Sequence, residues 1–309
     1  MVRWSAVVSL HALLLAETCA VRPAMDVEWP SFLARSDMTS RWSRPSADAA
    51  WVEPGPPFSY DKAGFMGNGN LGAMVQATEN GSVVLVLGRT DAYDRRVPGS
   101  QHAVGQILCD VAKLPIGNLT LQTVGAVLSV STRVRLWDGE VTVQLNTTAG
   151  AVYASLFVYG GNDAPSGGSS GTVVASFNAT RGEQRASWSF TPGNPNANAP
   201  HPVYKTESYA CRDSRYANNP APVLGSTPTN ITTTRQDLLV GVSWATALGV
   251  APGVAVLSTS TALISASVQA ATADCEWSLE TWSSGQLLAR HRAEWHQFYT
   301  DASFLSIAH

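Results

Sequence analysis

Charge is scarce in this chain. Asp, Glu, Lys and Arg make up 14% of its 309 residues and the formal net charge is -3, where an ordinary soluble domain carries about 25% charged residues. No basic stripe or cluster offers a surface to nucleic acid. Cysteine is scarce as well. Cys19, Cys109, Cys211 and Cys275 are the four present, and their wide spacing excludes a paired CxxC zinc or redox site. Long apolar runs are missing, since no segment approaches the roughly 20 residues a bilayer-crossing helix needs, so no membrane span is expected. Helical periodicity is absent from most of the length, and there is no internal repeat. Ser, Thr, Asn and Gly take the place of charge, and 45% of residues are hydrophobic. That balance excludes disorder throughout and suits solvated β surfaces over a packed core.

The N-terminus reads as an export signal. Arg3 supplies a basic start, Ala6 to Ala16 an apolar stretch, and Thr18-Cys19-Ala20 the small residues of a cleavage site, so residues 1–20 are expected to be a signal peptide and the protein to be secreted or lumenal. Asn80, Asn118, Asn146, Asn178 and Asn230 each open an Asn-x-Ser/Thr sequon, which marks them as candidate glycosylation sites. Without the signal, Cys109, Cys211 and Cys275 remain, an odd number that allows at most one internal disulfide and leaves its pairing open.

From about Phe65 onward, short apolar runs alternate with turns. Asn80-Gly81 and Asp138-Gly139 predict two-residue type I′ hairpins. In the second, that loop would pair Trp137 with Glu140, Leu136 with Val141 and Val134 with Val143, apolar against apolar. Further strands are expected at 119–124, 126–131, 152–159, 172–178, 186–190, 238–245, 254–258 and 262–270, and an edge strand somewhere in the Trp- and Pro-rich leader 21–57. The fold class is therefore all-β, a large antiparallel β-sandwich with a C-terminal linker helix. A surface insertion at about 192–234, rich in Asn, Pro and Ser, interrupts it. The helix is expected over about 282–299, capped by Ser283 or Ser284, with Leu287, Leu288, His291, Trp295 and Phe298 on one face. His291 and Trp295 are expected to pack on the sandwich, and 302–307 to form a last strand.

Few constellations carry chemistry. Gly67-Asn68-Gly69-Asn70-Leu71-Gly72 matches G-x-G-x-x-G, but the dinucleotide fingerprint needs a strand before it and a helix after it, and here a strand follows. Its glycines and amides suit a tight turn or a loop lying against a sugar, which makes Asn68 and Asn70 the candidate substrate-binding residues. Asp138 and Glu140 read as a solvated hairpin tip. Asp91 and Asp94 read as surface partners of Arg89, Arg95 and Arg96. His291 and His296 stand five apart, unlike the zinc pair of an HExxH helix, and no nucleophile elbow or triad spacing occurs. No catalytic residue, metal or cofactor is expected. Among the tryptophans, Trp51, Trp137, Trp188, Trp244, Trp277, Trp282 and Trp295 supply core and possible sugar-stacking surface alike.

The run Met66-Gly67-Asn68-Gly69-Asn70-Leu71-Gly72-Ala73-Met74, followed by a hairpin and Leu87-Gly88-Arg89-Thr90-Asp91-Ala92-Tyr93-Asp94, resembles the N-terminal domain of family 95 glycoside hydrolases, themselves similar in layout to family 65. Leu114–Leu119 resembles the segment where that domain starts a new strand, and His291–Tyr299 its helical linker. The resemblance covers about 50–191 and 235–307. It implies a sandwich at 21–280 packed on an (α/α)6 barrel, with 281–309 as helical linker and barrel start, the catalytic carboxylates in the absent barrel, and α-L-fucosidase-like activity on glycans for the complete enzyme. The family's fucosidase members show Asn-Glu and Trp where this chain has Arg89–Tyr93. The alternatives are a stand-alone carbohydrate-binding or adhesion module without hydrolase activity, and a structural domain with no ligand.

Overall fold

The computed structural model describes residues 27–50, 63–78, 81–93, 113–161, 163–165, 171–193, 229–232, 239–247, 253–262, 267–283 and 285–301. The expectations for the signal segment, Asn80, Asp94, Cys109, Cys211, most of the 192–234 insertion and a strand over 302–307 lie outside the described residues.

Within them, a short helix α1 (Trp29–Ala34) precedes thirteen strands. These are β1 (Met38–Ser43), β2 (Gly64–Gly67), β3 (Leu71–Ala77), β4 (Val83–Tyr93), β5 (Lys113–Gln122), β6 (Val127–Arg135) and β7 (Glu140–Thr147), then β8 (Ala151–Tyr159), β9 (Gly171–Ala179), β10 (Ser187–Pro192), β11 (Thr229–Thr232), β12 (Leu239–Ala247) and β13 (Gly253–Ala262). Helices α2 (Ser267–Ser283) and α3 (Leu287–Asp301) follow. One sheet runs β1-β6-β7-β8-β9-β13-β12-β11 and the other β10-β5-β4-β3-β2, with antiparallel neighbours throughout. The expected all-β sandwich is the observed fold.

Alternation builds it. β3 buries Leu71, Ala73, Val75 and Ala77 and leaves the residues between them partly open, and these four meet Val130, Val143, Leu156 and Val173 from the larger sheet in one core. Every second residue of a strand faces the same side, so β8 divides its apolar content between two cores. Val152, Ala154, Leu156 and Val158 enter the main core, whereas Phe157 and Tyr159 face outward. There Val174, Val254, Val256, Cys275 and Leu287 join them in a second core beneath the helices. This outer layer explains why β9 and β13 are buried on both faces.

The helical layer departs from expectation. Residues 267–270, expected to end a strand, instead open α2. The linker helix is two helices, joined at Gly285, whose φ is +74°. The Gly285 N–H donates to the Trp282 carbonyl and the Gln286 N–H to the Thr281 carbonyl, a Schellman closure that an αL glycine permits. It ends α2 and starts α3 at Leu287, beyond the expected serine caps. Part of the expected insertion is ordered sheet, since Thr229–Thr232 pairs with β12.

Both hairpins also differ in their turns. Around Gly81, whose φ is +85°, Ala77 pairs with Val83 and the Thr78 N–H donates to the Ser82 carbonyl, a register one residue from the one a two-residue Asn80-Gly81 loop would give. Around Gly139 the observed pairs are Arg135 with Glu140, Val134 with Val141 and Thr132 with Val143. The register is therefore two residues from the expected one. A slip of two keeps every side chain on its face, so burial followed the sequence although the pairing did not. The four-residue loop frees Trp137 and Asp138 to contact α3.

Candidate functional site

The Gly67–Gly72 run forms the turn between β2 and β3, which excludes the strand-to-helix geometry of a dinucleotide site. Asn68 shapes this turn. Its Oδ1 accepts from the Asn70 N–H at 3.1 Å and the Leu71 N–H at 2.9 Å, while its Nδ2 donates to the Tyr159 carbonyl at 3.4 Å. Both ends of the amide are thus engaged in holding the loop against the end of β8. Asn70 is exposed, and its carbonyl accepts from the Thr90 N–H.

Between this turn, the end of β8 and α3 lies a cavity of about 360 Å³, lined by Asn68, Gly69, His291, Glu294, Trp295 and Phe298 among others. That volume falls in the range of small-molecule sites. Two glycines after β8 permit its shape. A Cβ at Gly160 would stand 2.7 Å from Asn68 Nδ2, and one at Gly161 2.2 Å from the Tyr159 hydroxyl and 2.7 Å from Glu294 Oε1. The pair Gly160-Gly161 is a sequence signal for a close approach of backbone and functional groups, although no motif contains it.

Four polar side chains meet beside the cavity. The Tyr159 hydroxyl donates to Asp163 Oδ1 and lies 3.4 Å from Glu294 Oε1, while Asp163 Oδ2 is held by Arg290. Burial, followed by the Asp163 charge, raises the Glu294 pKa. Burial and the hydrogen bond to Asp163 raise that of Tyr159. Asp163 has both oxygens occupied, so Glu294 is the carboxyl directed to the cavity. His291 is 1% exposed. Its Nε2 stands 3.1 Å from the Gly139 carbonyl, which only accepts, so Nε2 carries the proton. Burial lowers its pKa, which keeps the ring neutral.

The β6–β7 hairpin docks α3 from the other side. Asp138 and Glu140, read from sequence as a solvated tip, are 6% and 2% exposed. Asp138 binds Arg135 at 2.5 Å and His296 at 3.0 Å. Glu140 accepts from Arg292 at 2.7 Å and from the Ser155 hydroxyl. Trp137 stacks on His296 at 4.2 Å with 13° between the planes. These carboxylates are buried because α3 brings one guanidinium, Arg292, and the His296 imidazole to them, and β6 brings Arg135. His291 and Trp295 pack on the hairpin as expected.

Arg89 is likewise not a surface partner. It is 2% exposed, bidentate on Asp91 at 2.8 and 3.0 Å, and reaches Thr259 on β13. A bulge at Gly88 in β4 accompanies its entry between the sheets. Asn118, Asn146 and Asn178 are exposed. Trp188 is buried, Trp277 and Trp282 pack on the second core, and Trp295 lines the cavity; Trp51 lies outside the described residues. Among the described residues no group of three or more ligands is placed to hold a metal, and no helix is long and apolar enough to cross a membrane.

No protein-family model matches the chain, and no curated protein matches it. Among solved structures, one described as "Putative kojibiose phosphorylase from human microbiome" is similar with a TM-score of 0.40 at 10% identity, over 76% of this chain and 35% of that one. The chain thus spans about a third of that protein's length.

Proposed function

We propose that this chain is a non-catalytic carbohydrate-binding β-sandwich domain of a secreted, glycosylated glycoside hydrolase, and that the cavity between the Asn68 turn and α3 is its sugar site. The observation that carries this is the cavity lining. Trp295 and Phe298 offer apolar rings for the C–H face of a pyranose, and the Glu294 carboxyl and loop backbone offer partners for its hydroxyls. In this reading Asn68 acts by positioning the loop, because both ends of its amide are engaged. Gly69 is exposed at the cavity edge, whereas Asn70, also exposed, is not among the lining residues.

In this reading the chain by itself does not turn over a glycoside, and the state of Asp163 supports that part of the proposal. A glycosidase needs two carboxyls acting on one bond, and the carboxyl nearest Glu294 is clamped by Tyr159 and Arg290. The resemblance of residues 66–94 to family 95 is what motivates placing the chemistry in an (α/α)6 barrel elsewhere in a longer enzyme, with an α-L-fucosidase-like specificity as part of this proposal. Calorimetric titration of the purified chain with methyl glycosides, beside assays on aryl-α-L-fucoside and other aryl glycosides, tests both parts. Saturable binding that Trp295→Ala abolishes supports the site. Turnover by the chain alone would overturn the non-catalytic assignment.

A further inference from the structure

We propose that this cavity accepts neutral sugars and rejects acidic ones, so that its ligand class is a neutral pyranoside and not a uronate or a sulfated sugar. The inference rests on the sugar-binding reading and concerns the charges around the cavity. Of the described side chains that line it, Glu294 carries a carboxyl and His291 an imidazole. The imidazole supplies no cation, since its Nε2–H is directed at the Gly139 carbonyl within a buried contact against Phe157 at 4.5 Å.

Among the described residues, the cations nearby are neutralised where they stand. Arg290 holds Asp163 and lies 6.0 Å from the Trp277 ring. Arg292 is turned to Glu140, which Arg135 also approaches at 3.5 Å. With Arg290 matched by Asp163 and Arg292 by Glu140, Glu294 is left to set the local sign. A neutral ring can donate hydroxyl protons to that carboxyl while its apolar face lies on Trp295 or Phe298. A sugar carboxylate or sulfate would bring a second negative charge beside it, with no guanidinium or ammonium among the described lining residues to face it. Like charges a few ångströms apart at a partly solvated site correspond to a loss on the order of tenfold in affinity.

Matched probes isolate the effect. The full chain is titrated with methyl galactoside against methyl galacturonide, and with the corresponding glucose pair. The expected result is saturable binding of a neutral member, with its acid at least about tenfold weaker, and a narrower gap in Glu294→Gln. A salt series on the unaltered chain is an independent check, because screening should narrow the same gap. Equal or tighter binding of the acid overturns the charge selectivity while leaving the sugar site intact. A gap unmoved by both salt and Glu294→Gln also overturns it. Binding of neither member of either pair overturns the sugar site as well.

Discussion

Replacing Gly139 by Ala should cost far more than the same change at Gly285. Both glycines sit in the left-handed region, at φ +61° and +74°, where an alanine pays about 1–2 kcal/mol. Their surroundings differ. A Cβ at Gly285 meets nothing within 4 Å, whereas one at Gly139 would lie 2.2 Å from Trp295 Nε1 and 2.3 Å from Cε2. The indole cannot stay in place, and moving it disturbs His291, whose ring bonds the Gly139 carbonyl. Overpacking of this kind adds about 1–3 kcal/mol. The expected totals are therefore about 1–2 kcal/mol for Gly285→Ala and about 2–5 kcal/mol for Gly139→Ala. Urea denaturation of the full chain measures both. Trp295→Ala closes a cycle, since without the indole the cost of Gly139→Ala should fall toward that of Gly285→Ala. Equal costs at the two glycines in the unaltered background, or no relief from Trp295→Ala, would refute the docking of α3 on the hairpin described above.

Three further outcomes are expected. Glu183 is fully buried and accepts from the Val124 and Gly125 N–H groups at 2.7 and 2.8 Å and from the Thr147 hydroxyl at 2.5 Å; Glu183→Leu should cost about 2–3 kcal/mol in denaturation, because it removes three hydrogen bonds to a charged group and orphans the buried Thr147 hydroxyl. Stability should depend on pH in opposite senses at the two ionisable groups of the cavity. His291 is kept neutral by burial, so its contribution is present above the unfolded value of about 6.5 and lost as pH falls below it, and His291→Gln should flatten that loss. Glu294 has a raised pKa, so the native state holds its proton above the unfolded value of about 4.3, and stability falls as pH rises through that window. Glu294→Gln should therefore stabilise at neutral pH and give no gain at pH 4. Burial pushes the Cys275 thiol up to about 12, so mass-spectrometric mapping should find it unmodified by a thiol reagent at pH 8 in the native chain and modified in urea.

The sandwich was legible because its signal is local. Alternation along β3 and β7 survives any even error in register, so residues such as Val134, Val141 and Val143 were assigned to the buried face although their partners were shifted by two. The site was less legible, because its members meet through distant contacts. Asp138 and Glu140 look like a solvated turn until Arg292 and His296 arrive from more than 150 positions away. Tyr159, Asp163 and Glu294 share no spacing that a sequence pattern would register. α2 was missed for a related reason. Its apolar residues Cys275, Trp277, Leu279 and Trp282 contact a sheet on one side and α3 on another, which blurs a single amphipathic stripe. The Asn68 turn was legible from its glycines and amides, but the Asn68 amide is directed at the protein's own backbone.

The most direct test of the central claim is the indole N–H resonance of Trp295 during titration with neutral methyl glycosides, assigned by its loss in Trp295→Phe. The account predicts that this resonance shifts in a saturable manner, at the same midpoint as the calorimetric binding. Binding that leaves Trp295 unmoved while shifting another tryptophan, or no binding by any glycoside, would contradict the placement of a sugar site between the Asn68 turn and α3.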